Sequence, residues 1–530
     1  MPDFNIIVFL CNWGPHAAFQ ALQDQCADIP REVKMIRIPC SGRITKALLL
    51  RSFEMGADGV VLLGCQPGSC RYGSGTHSAR DNTSETRRIL ELMGVGGQRL
   101  QLGNFLPDQP RALLDFLQAF TRQIRELGRS PVARRTATGT AAAPAMTPPA
   151  IVAAHDVFAC QDCGKCTSAC SLALAGKPYS PRDLANRVIA GKADDADVRR
   201  AVNACLTCGV CYERCPSAVN FPEFIRSMRT YYQHRRLAED PTHGGFFQSM
   251  MRAMTADDLA PRRWQNLPEK IRTRTSGGQV LFFGGCAPYF DIFFSKFLGV
   301  QTARILEDSL RLLNFFDVEP MVLEQEVCCG HDLLWTGDVE NFLRLARRNA
   351  RAFADTGAGE LITACPECYR TLCHDYPAHG VELPLTVTHM HDFLEREIDK
   401  GAVGFNPLGK VVTFQDACRQ SRFEGRSDLP RKLLARMAGT RLQEMSESGR
   451  GAVCCGNSAW TGCDAYSKAL QVKRLTSARQ TGGELMLTAC PKCQIHLRCA
   501  MEDAMRATEL QMETMDLISA IAQTIYWESV

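Results

Sequence analysis

The sequence predicts a multidomain protein of mixed α/β and α class, with a parallel α/β domain first, a helical middle and a duplicated α/β region last. Three observations predict it. Strand-like and helix-like runs alternate over roughly the first 130 residues, two cysteine runs lie in a helical pattern near the centre, and one cysteine pattern recurs over roughly the last 250. At 530 residues and 45% hydrophobic, the chain can bury several cores. Its net charge of +4 is spread without a long run of one sign, which points away from nucleic acid and from anionic membrane surfaces. The opening MPDFNIIVFLCNWG lacks a basic leader region, and no stretch reaches the ~18–20 apolar residues of a membrane span, so the expectation is a cytoplasmic protein without direct membrane insertion. In a reducing compartment the 26 cysteines are expected to bind metal rather than to form disulfides.

In the first domain, residues 1–128, the runs NIIVFL, VKMIRI and GVVLL read as buried strands, with helical patterns at 16–26, 44–55, 84–93 and 111–127. That order predicts a flavodoxin-like parallel sheet. Cys11, Cys40 and Cys65 each stand at the end of a predicted strand, and Cys70 follows five residues after the third. Open parallel sheets bind ligands beyond the carboxyl ends of their strands, so four thiolates converge there, enough for one 2Fe-2S cluster. Cys26, on a predicted helix, reads as an ordinary buried cysteine. Residues 129–154, rich in Ala, Thr and Pro without periodicity, read as a linker, and 261–279 as a second connection.

The middle domain, 155–275, carries the sharpest motif. Cys160, Cys163, Cys166 and Cys170 form C-x2-C-x2-C-x3-C, and Cys205, Cys208, Cys211 and Cys215 repeat it, the last followed by Pro216. In this bacterial ferredoxin spacing three thiolates wrap one cubane and the fourth crosses to the other. The expected sets are Cys160, Cys163, Cys166 and Cys215 on one 4Fe-4S cluster, and Cys205, Cys208, Cys211 and Cys170 on the second. A pair of zinc sites is the alternative for eight thiolates. Two complete ferredoxin runs favour iron–sulfur.

The last two domains, 276–400 and 401–530, repeat each other. VCCGHDLLWTGD near 327 answers VCCGNSAWTGCD near 453, and ITACPECYRTLC answers LTACPKCQIHLRC. Each half has a lone cysteine after an apolar run (Cys286, Cys418), a Cys-Cys-Gly (Cys328 and Cys329, Cys454 and Cys455) and a Cys-Pro-x-Cys (Cys365 and Cys368, Cys490 and Cys493). His331, His374, His389 and His391 are candidates to protonate a leaving thiolate, although a buried histidine is more often structural. Cys373 and Cys499 recur at similar places and read as packing residues. Cys463 has no assigned ligand role. Arg43 and Arg71, beside cysteines of the first domain, either tune its cluster, meet a partner or face solvent.

These motifs carry a resemblance. FLCNWGPHAAF, IPCSGRI and LGCQPGSCRYGSG resemble the delta subunit of methyl-viologen-reducing hydrogenase, an electron-transfer subunit with a 2Fe-2S cluster, over residues 4–127. Where that family commonly has a second cysteine after the tryptophan this chain has Gly14, so the implied ligands are Cys11, Cys40, Cys65 and Cys70. The middle domain is similar to the C subunit of heterodisulfide reductase, and the two repeats resemble its B subunit or the equivalent part of its fused D form. The resemblance implies that each CCG domain holds a noncubane 4Fe-4S cluster through five cysteines, the first through Cys286, Cys328, Cys329, Cys365 and Cys368 and the second through Cys418, Cys454, Cys455, Cys490 and Cys493. It further implies that a disulfide is split between these ten catalytic cysteines.

Both sets are intact here, whereas some relatives have lost cysteines from one and only relay electrons. The implied activity is that of a heterodisulfide reductase-like oxidoreductase of anaerobic metabolism, acting on a small disulfide or a protein persulfide. No G-x-G-x-x-G follows a strand, so FAD is expected only on a partner, a flavin-containing A-subunit-like protein. A hydrogenase, formate dehydrogenase or NAD(P)H-oxidising module stands further upstream, as in flavin-based electron bifurcation. Two alternatives remain open at this point: a non-catalytic electron-transfer subunit, and a component of a quinone-linked dehydrogenase.

Overall fold

The structure is a computed structural model that describes residues 4–132, 146–401, 403–505 and 507–527, so part of the predicted linker, 133–145, lies outside the described residues. The described chain forms two compact units, one from residues up to 132 with 243–265, the other from 146–242 with the remainder.

In the first unit four parallel strands, β1 (Ile6–Cys11), β2 (Val33–Ile38), β3 (Gly59–Gly64) and β4 (Leu100–Asn104), are arranged in the order β2-β1-β3-β4. Every residue of β3 is buried, which explains its unbroken apolar run. β4 (LQLGN) carries two polar residues in five and gives no comparable signal. Helix Gly75–Leu92 begins nine residues before the predicted start at 84, because its early buried face is Thr76, Ala79 and Thr83, too small and polar to show an apolar period. Helix Pro110–Leu127 lays Leu113, Leu117, Phe120 and Ile124 on the core of Ile6, Val8, Leu10, Val61 and Leu63. Cys26 departs from expectation. Helix Gly14–Asp24 ends before it, and the residue is exposed at a φ of 52°. Helix Phe246–Ala253 joins this unit from far along the chain, with Ser249 and Arg252 both bonded to Glu54 of helix Lys46–Glu54.

The second unit opens with helix Pro148–Ala154, inside the stretch predicted as linker. Prolines suit its first positions, and burial of Ile151 and Val152 supplies the stabilisation that local composition lacks. Short helices around the two cysteine runs follow, ending in Phe221–His234. Beyond them lie two parallel sheets. β5 (Val280–Phe283), β6 (Glu360–Thr363) and β7 (Thr386–His389) pair in sequence, and β8 (Val411–Gln415), β9 (Arg441–Leu442), β10 (Leu485–Thr488) and β11 (Glu513–Asp516) take the order β11-β10-β8-β9. The duplication is therefore structural, β5-β6-β7 matching β8-β10-β11. In the first half Met321, bridged in parallel to Leu281, stands where β9 stands in the second.

The glycine of each Cys-Cys-Gly has a backbone that demands it. Gly330 lies at φ +87° and Gly456 at +103°, and a Cβ would come within 2.9 Å of Phe342 at the first and 2.7 Å of the Ser467 carbonyl at the second.

His389 closes β7 and caps helix Met390–Lys400, while His391, fully buried, is hydrogen-bonded to Gln420 at 2.8 Å. Burial pushes His391 down to about 3 from its ordinary 6.5. The unfolded chain takes up a proton that the folded chain refuses, so this contribution is complete above about pH 6.5 and is lost as the pH falls toward about 3. Denaturation midpoints measured from about pH 8 down to about pH 5.5 should show His391→Gln losing less stability on acidification than the parent chain.

Candidate metal centres

In the first unit the strand order reverses between β1 and β3, the place where open parallel sheets form a crevice. Cys11 ends β1 and Cys65 follows β3, with their sulfurs 3.8 Å apart. Cys40 and Cys70 meet each other above Gly75, where a Cβ would lie 2.6 Å from one sulfur and 2.8 Å from the other. Cys11 acts electrostatically on Cys40, so the four predicted ligands converge. Although burial pushes Cys70 up, the N–H groups of Tyr72 and Gly75 and the Cys40 thiol pull it below its ordinary value. Arg71 stacks on Trp13 at 4.3 Å, and Arg43 is exposed.

In the second unit Cys170 stands with Cys205, Cys208 and Cys211 around a cavity of about 20 Å³ also lined by Tyr179 and Phe221. The grouping follows the crossed ferredoxin pattern. All four are buried, and burial pushes Cys170 up to about 12. Cys208 is the exception, held down to about 5 by a hydrogen bond from the Cys454 thiol and by the Arg422 guanidinium. Of the other set, Cys163 is exposed and Cys160, Cys166 and Cys215 are half-buried.

The CCG domains place their cysteines at strand ends. Cys286 and Cys418 each lie three residues beyond β5 and β8, and Cys365 and Cys490 two beyond β6 and β10, the latter two each followed by a proline that starts a helix. The five cysteines of the first set adjoin in series: Cys286 is 2.9 Å from Cys328, which meets Cys329, which meets Cys368, which meets Cys365. Together they line a cavity of about 30 Å³ shared with Phe290, Ile305, Leu306, His331 and Lys492. In the second set Cys454, Cys455, Cys493 and Cys490 adjoin in the same order, and Cys455 is among the charges that push Cys418 up.

These residues fit iron–sulfur clusters on their own chemistry. Bonding to Cys328 and burial push Cys286 well up, bonding to Cys329 and Cys365 does the same for Cys368, and burial carries Cys418 to about 12. Left alone, such thiols stay protonated. A metal cation reverses this, since a coordinated thiol gives up its proton. All 26 cysteines are free of disulfides.

The two CCG sets are joined by charges that sequence reasoning overlooked. The variable residue of Cys-Pro-x-Cys is Glu367 in the first half and Lys492 in the second, and the two form a buried ion pair that also takes in Asp332. His331 stands 3.4 Å from Glu367 and 3.2 Å from Thr371. The opposite signs in CPEC and CPKC were the available signal. Of the four candidate histidines only His331 lines the cysteine-walled space. His374 pairs with Glu424 at 2.8 Å, and His389 and His391 are held neutral by burial. Cys373 lies 3.8 Å from the Val387 carbonyl, and Cys499 is bonded by Lys468 at 3.3 Å and acts electrostatically on the exposed Cys463.

Two outcomes follow from this geometry. Gly75→Ala drives a methyl between Cys40 and Cys70, so anaerobically loaded protein should lose the iron of the first unit and keep the remainder, as read by iron analysis of the full chain. Lys492→Met leaves Asp332 and Glu367 buried without their cation, and the unfolding midpoint should fall by the equivalent of about 3–5 kcal/mol, with Glu367→Gln in the same chain restoring part of it.

Comparison with known proteins finds matches along most of the chain. The methyl-viologen-reducing hydrogenase, delta subunit, model matches residues 6–128, a 4Fe-4S dicluster domain matches 134–219, and the cysteine-rich domain matches twice, at 280–373 and 412–498. The D subunit of the dihydromethanophenazine:CoB–CoM heterodisulfide reductase of Methanosarcina acetivorans is 28% identical over 369 residues, covering 67% of this chain and 84% of that protein. The B subunit of the CoM/CoB fumarate reductase of Methanothermobacter marburgensis is 27% identical, covering 65% and 68%. EtfAB:quinone oxidoreductase of Syntrophomonas wolfei is 24% identical, covering 68% and 56%. Among the described residues no helix is long and apolar enough to cross a membrane. The chain is thus similar to the iron–sulfur subunits of heterodisulfide and fumarate reductases, and joins a hydrogenase-delta-like domain, a 4Fe-4S dicluster domain and two cysteine-rich domains in one polypeptide.

Proposed function

We propose that this chain is the disulfide-reducing subunit of a heterodisulfide reductase-like complex. In this reading Cys11, Cys40, Cys65 and Cys70 hold a 2Fe-2S cluster. Cys160, Cys163, Cys166 and Cys215 hold one cubane, and Cys170, Cys205, Cys208 and Cys211 the other. The two CCG quintets hold noncubane 4Fe-4S clusters. When bound, these groups supply one-electron storage, and splitting a disulfide needs two electrons, so two neighbouring sites with sulfur-binding capacity suit the reaction.

The observation that carries the reading is a line of adjoining cysteines that ends in an electrostatic step between the two CCG sets. Cys208 meets Cys454, the second CCG set follows through Cys455, Cys493 and Cys490, and Cys490 feels the charges of Glu367 and Cys365 in the first set. Lys492, Asp332 and Glu367 fix the two quintets against each other, and Phe290, Ile305 and Leu306 keep the space beside the first one apolar. His331 is the group positioned to hold a proton beside that space. The disulfide is a small heterodisulfide of the coenzyme M–coenzyme B type or a protein persulfide. Electrons come from a flavin-bearing A-subunit-like partner and, behind it, a hydrogenase, formate dehydrogenase or NAD(P)H-oxidising module.

A second reading is favoured by the relatives named as a fumarate reductase subunit and a quinone oxidoreductase: both CCG sites relay electrons to another subunit. Metal analysis and one assay separate the readings. The ligand sets require about 18 irons per chain with matching acid-labile sulfide, whereas about 10 would leave only the 2Fe-2S and cubane sites and end the disulfide reading. With about 18 irons present, reduction of small disulfides by the isolated chain under reduced viologen is the expected result. Viologen oxidation only in the presence of fumarate-reducing or quinone-reducing partners would favour the relay.

A further inference from the structure

Three buried arginines surround the loop that carries Cys205 and Cys208, and among the described residues none forms an ion pair with a carboxylate. Arg229, on helix Phe221–His234, donates to the carbonyls of Val202 (3.1 Å), Asn203 (2.9 Å) and Cys205 (2.5 Å), and to that of Trp335 (2.7 Å). Arg419 donates to the Thr207 carbonyl at 2.7 Å with its guanidinium 4.1 Å over the Trp335 ring. Arg422 donates to the carbonyls of Cys208 at 2.6 Å and Ala452 at 2.7 Å. The carboxylates whose fields reach them are already engaged: Asp416 pairs with Arg431 at 2.7 Å and Glu223 with Arg226 at 2.5 Å. Nε of Arg419 and Nη2 of Arg422 have no hydrogen-bond partner.

Burying a guanidinium without a counter-charge is strongly unfavourable. The groups at hand to balance these three are sulfurs of the loop they surround, Cys205 beside Arg229 and Cys208 beside Arg422, with Cys418 and Cys454 also facing Arg422 and Cys418 facing Arg419. Four thiolates around an iron–sulfur core make a net anion that gains one more negative charge on reduction, so fixed cations favour its reduced form. Burial alone acts in the opposite direction. The cations beside the other set lie nearer solvent: Lys165 and Arg214 are exposed, Arg182 is answered by Asp162 at 3.1 Å, and Cys163 is itself open to solvent, where charge is screened.

We infer that Arg229, Arg419 and Arg422 hold the cluster of Cys170, Cys205, Cys208 and Cys211 at a higher potential than that of Cys160, Cys163, Cys166 and Cys215, so that electrons leave the ferredoxin-type domain through Cys208 toward Cys454. The inference rests on the cubane assignment above. One electron passes per event, oxidising the first site and reducing the second, with no bond made or broken. The arginines are positioning residues that act through the field at the cluster.

The test is an EPR-monitored redox titration of the anaerobically loaded full chain. Two cubane midpoints are expected, and Arg422→Gln should lower only the higher one, by at least a tenfold change in equilibrium constant, which is about 59 mV for one electron. Arg422→Lys, which keeps the charge, should restore most of the shift. Arg419→Gln should move the same midpoint in the same direction, and it decides the matter if Arg422→Gln fails to load iron. Unchanged midpoints, or movement of the lower one, would overturn the inference while leaving the cubanes in place. An iron count without two cubanes would instead remove the reading on which it rests.

Discussion

The approach of Cys208 to Cys454 sets the terms for the second unit, because it brings a ferredoxin-type loop and a Cys-Cys-Gly loop to one buried point. Two sulfurs stay that close only if the surrounding backbones are fixed. Much of the neighbouring chemistry does this. Ser171 Oγ accepts from the Cys454 N–H at 3.3 Å, Thr207 meets Ser458 at 3.0 Å, and Lys177 reaches Asp464. Arg450 forks onto Glu213 with bonds of 2.7 and 2.8 Å. Bonds between residues more than 200 positions apart thus converge on one junction. A ferredoxin domain on a flexible tether would need none of them.

The duplicated CCG domains meet the problem that faces any repeat with a function: two equal halves offer two equal faces, and like charges at matching positions repel. Here the matching positions carry Glu367 and Lys492, so related sites attract when the halves face each other. An isolated buried ion pair adds little stability over an apolar contact, and its better-attested use is to fix register. The pairing of Lys492 with both Asp332 and Glu367 specifies one orientation of the two quintets, which is what two neighbouring metal centres require.

Much of this was legible in the sequence because ligand spacing is local. Cysteines two or three residues apart wrap one cluster whatever surrounds them, and a cysteine after an apolar run lands at a strand end. Cys11, Cys65, Cys286 and Cys418 accordingly stand where the pattern puts them. What was not legible depends on partners distant in sequence. Arg229, Arg419 and Arg422 sit in ordinary-looking helical stretches, and only folding brings them to the Cys205–Cys208 loop. Helix Phe246–Ala253 joined the first unit through Glu54, a residue without any local signal. The early start of the helix at Gly75 was hidden for a different reason. Gly75 must lack a side chain to let Cys40 and Cys70 approach, and the small buried Thr76, Ala79 and Thr83 that follow carry no hydrophobic period.

The two quintets are alike in their ligands and unlike in their surroundings, and this difference bears on direction. The second set is closed in by Cys208, Arg422, Arg474 and His496, Arg474 being fully buried and bonded to Gln415 at 2.8 Å and His496 lying 3.3 Å from Cys455. The first set borders an apolar-walled space with His331 and Lys492 at its edge. A relay needs only short distances and buried surroundings, which both sets have. A histidine stands beside each set, His331 at the edge of the first and His496 3.3 Å from Cys455 in the second, so a group able to hold a proton does not tell them apart. Under the proposed function electrons arrive at Cys454, and the buried Glu367 and Lys492 pair stands between that set and the one of Cys286 and Cys365.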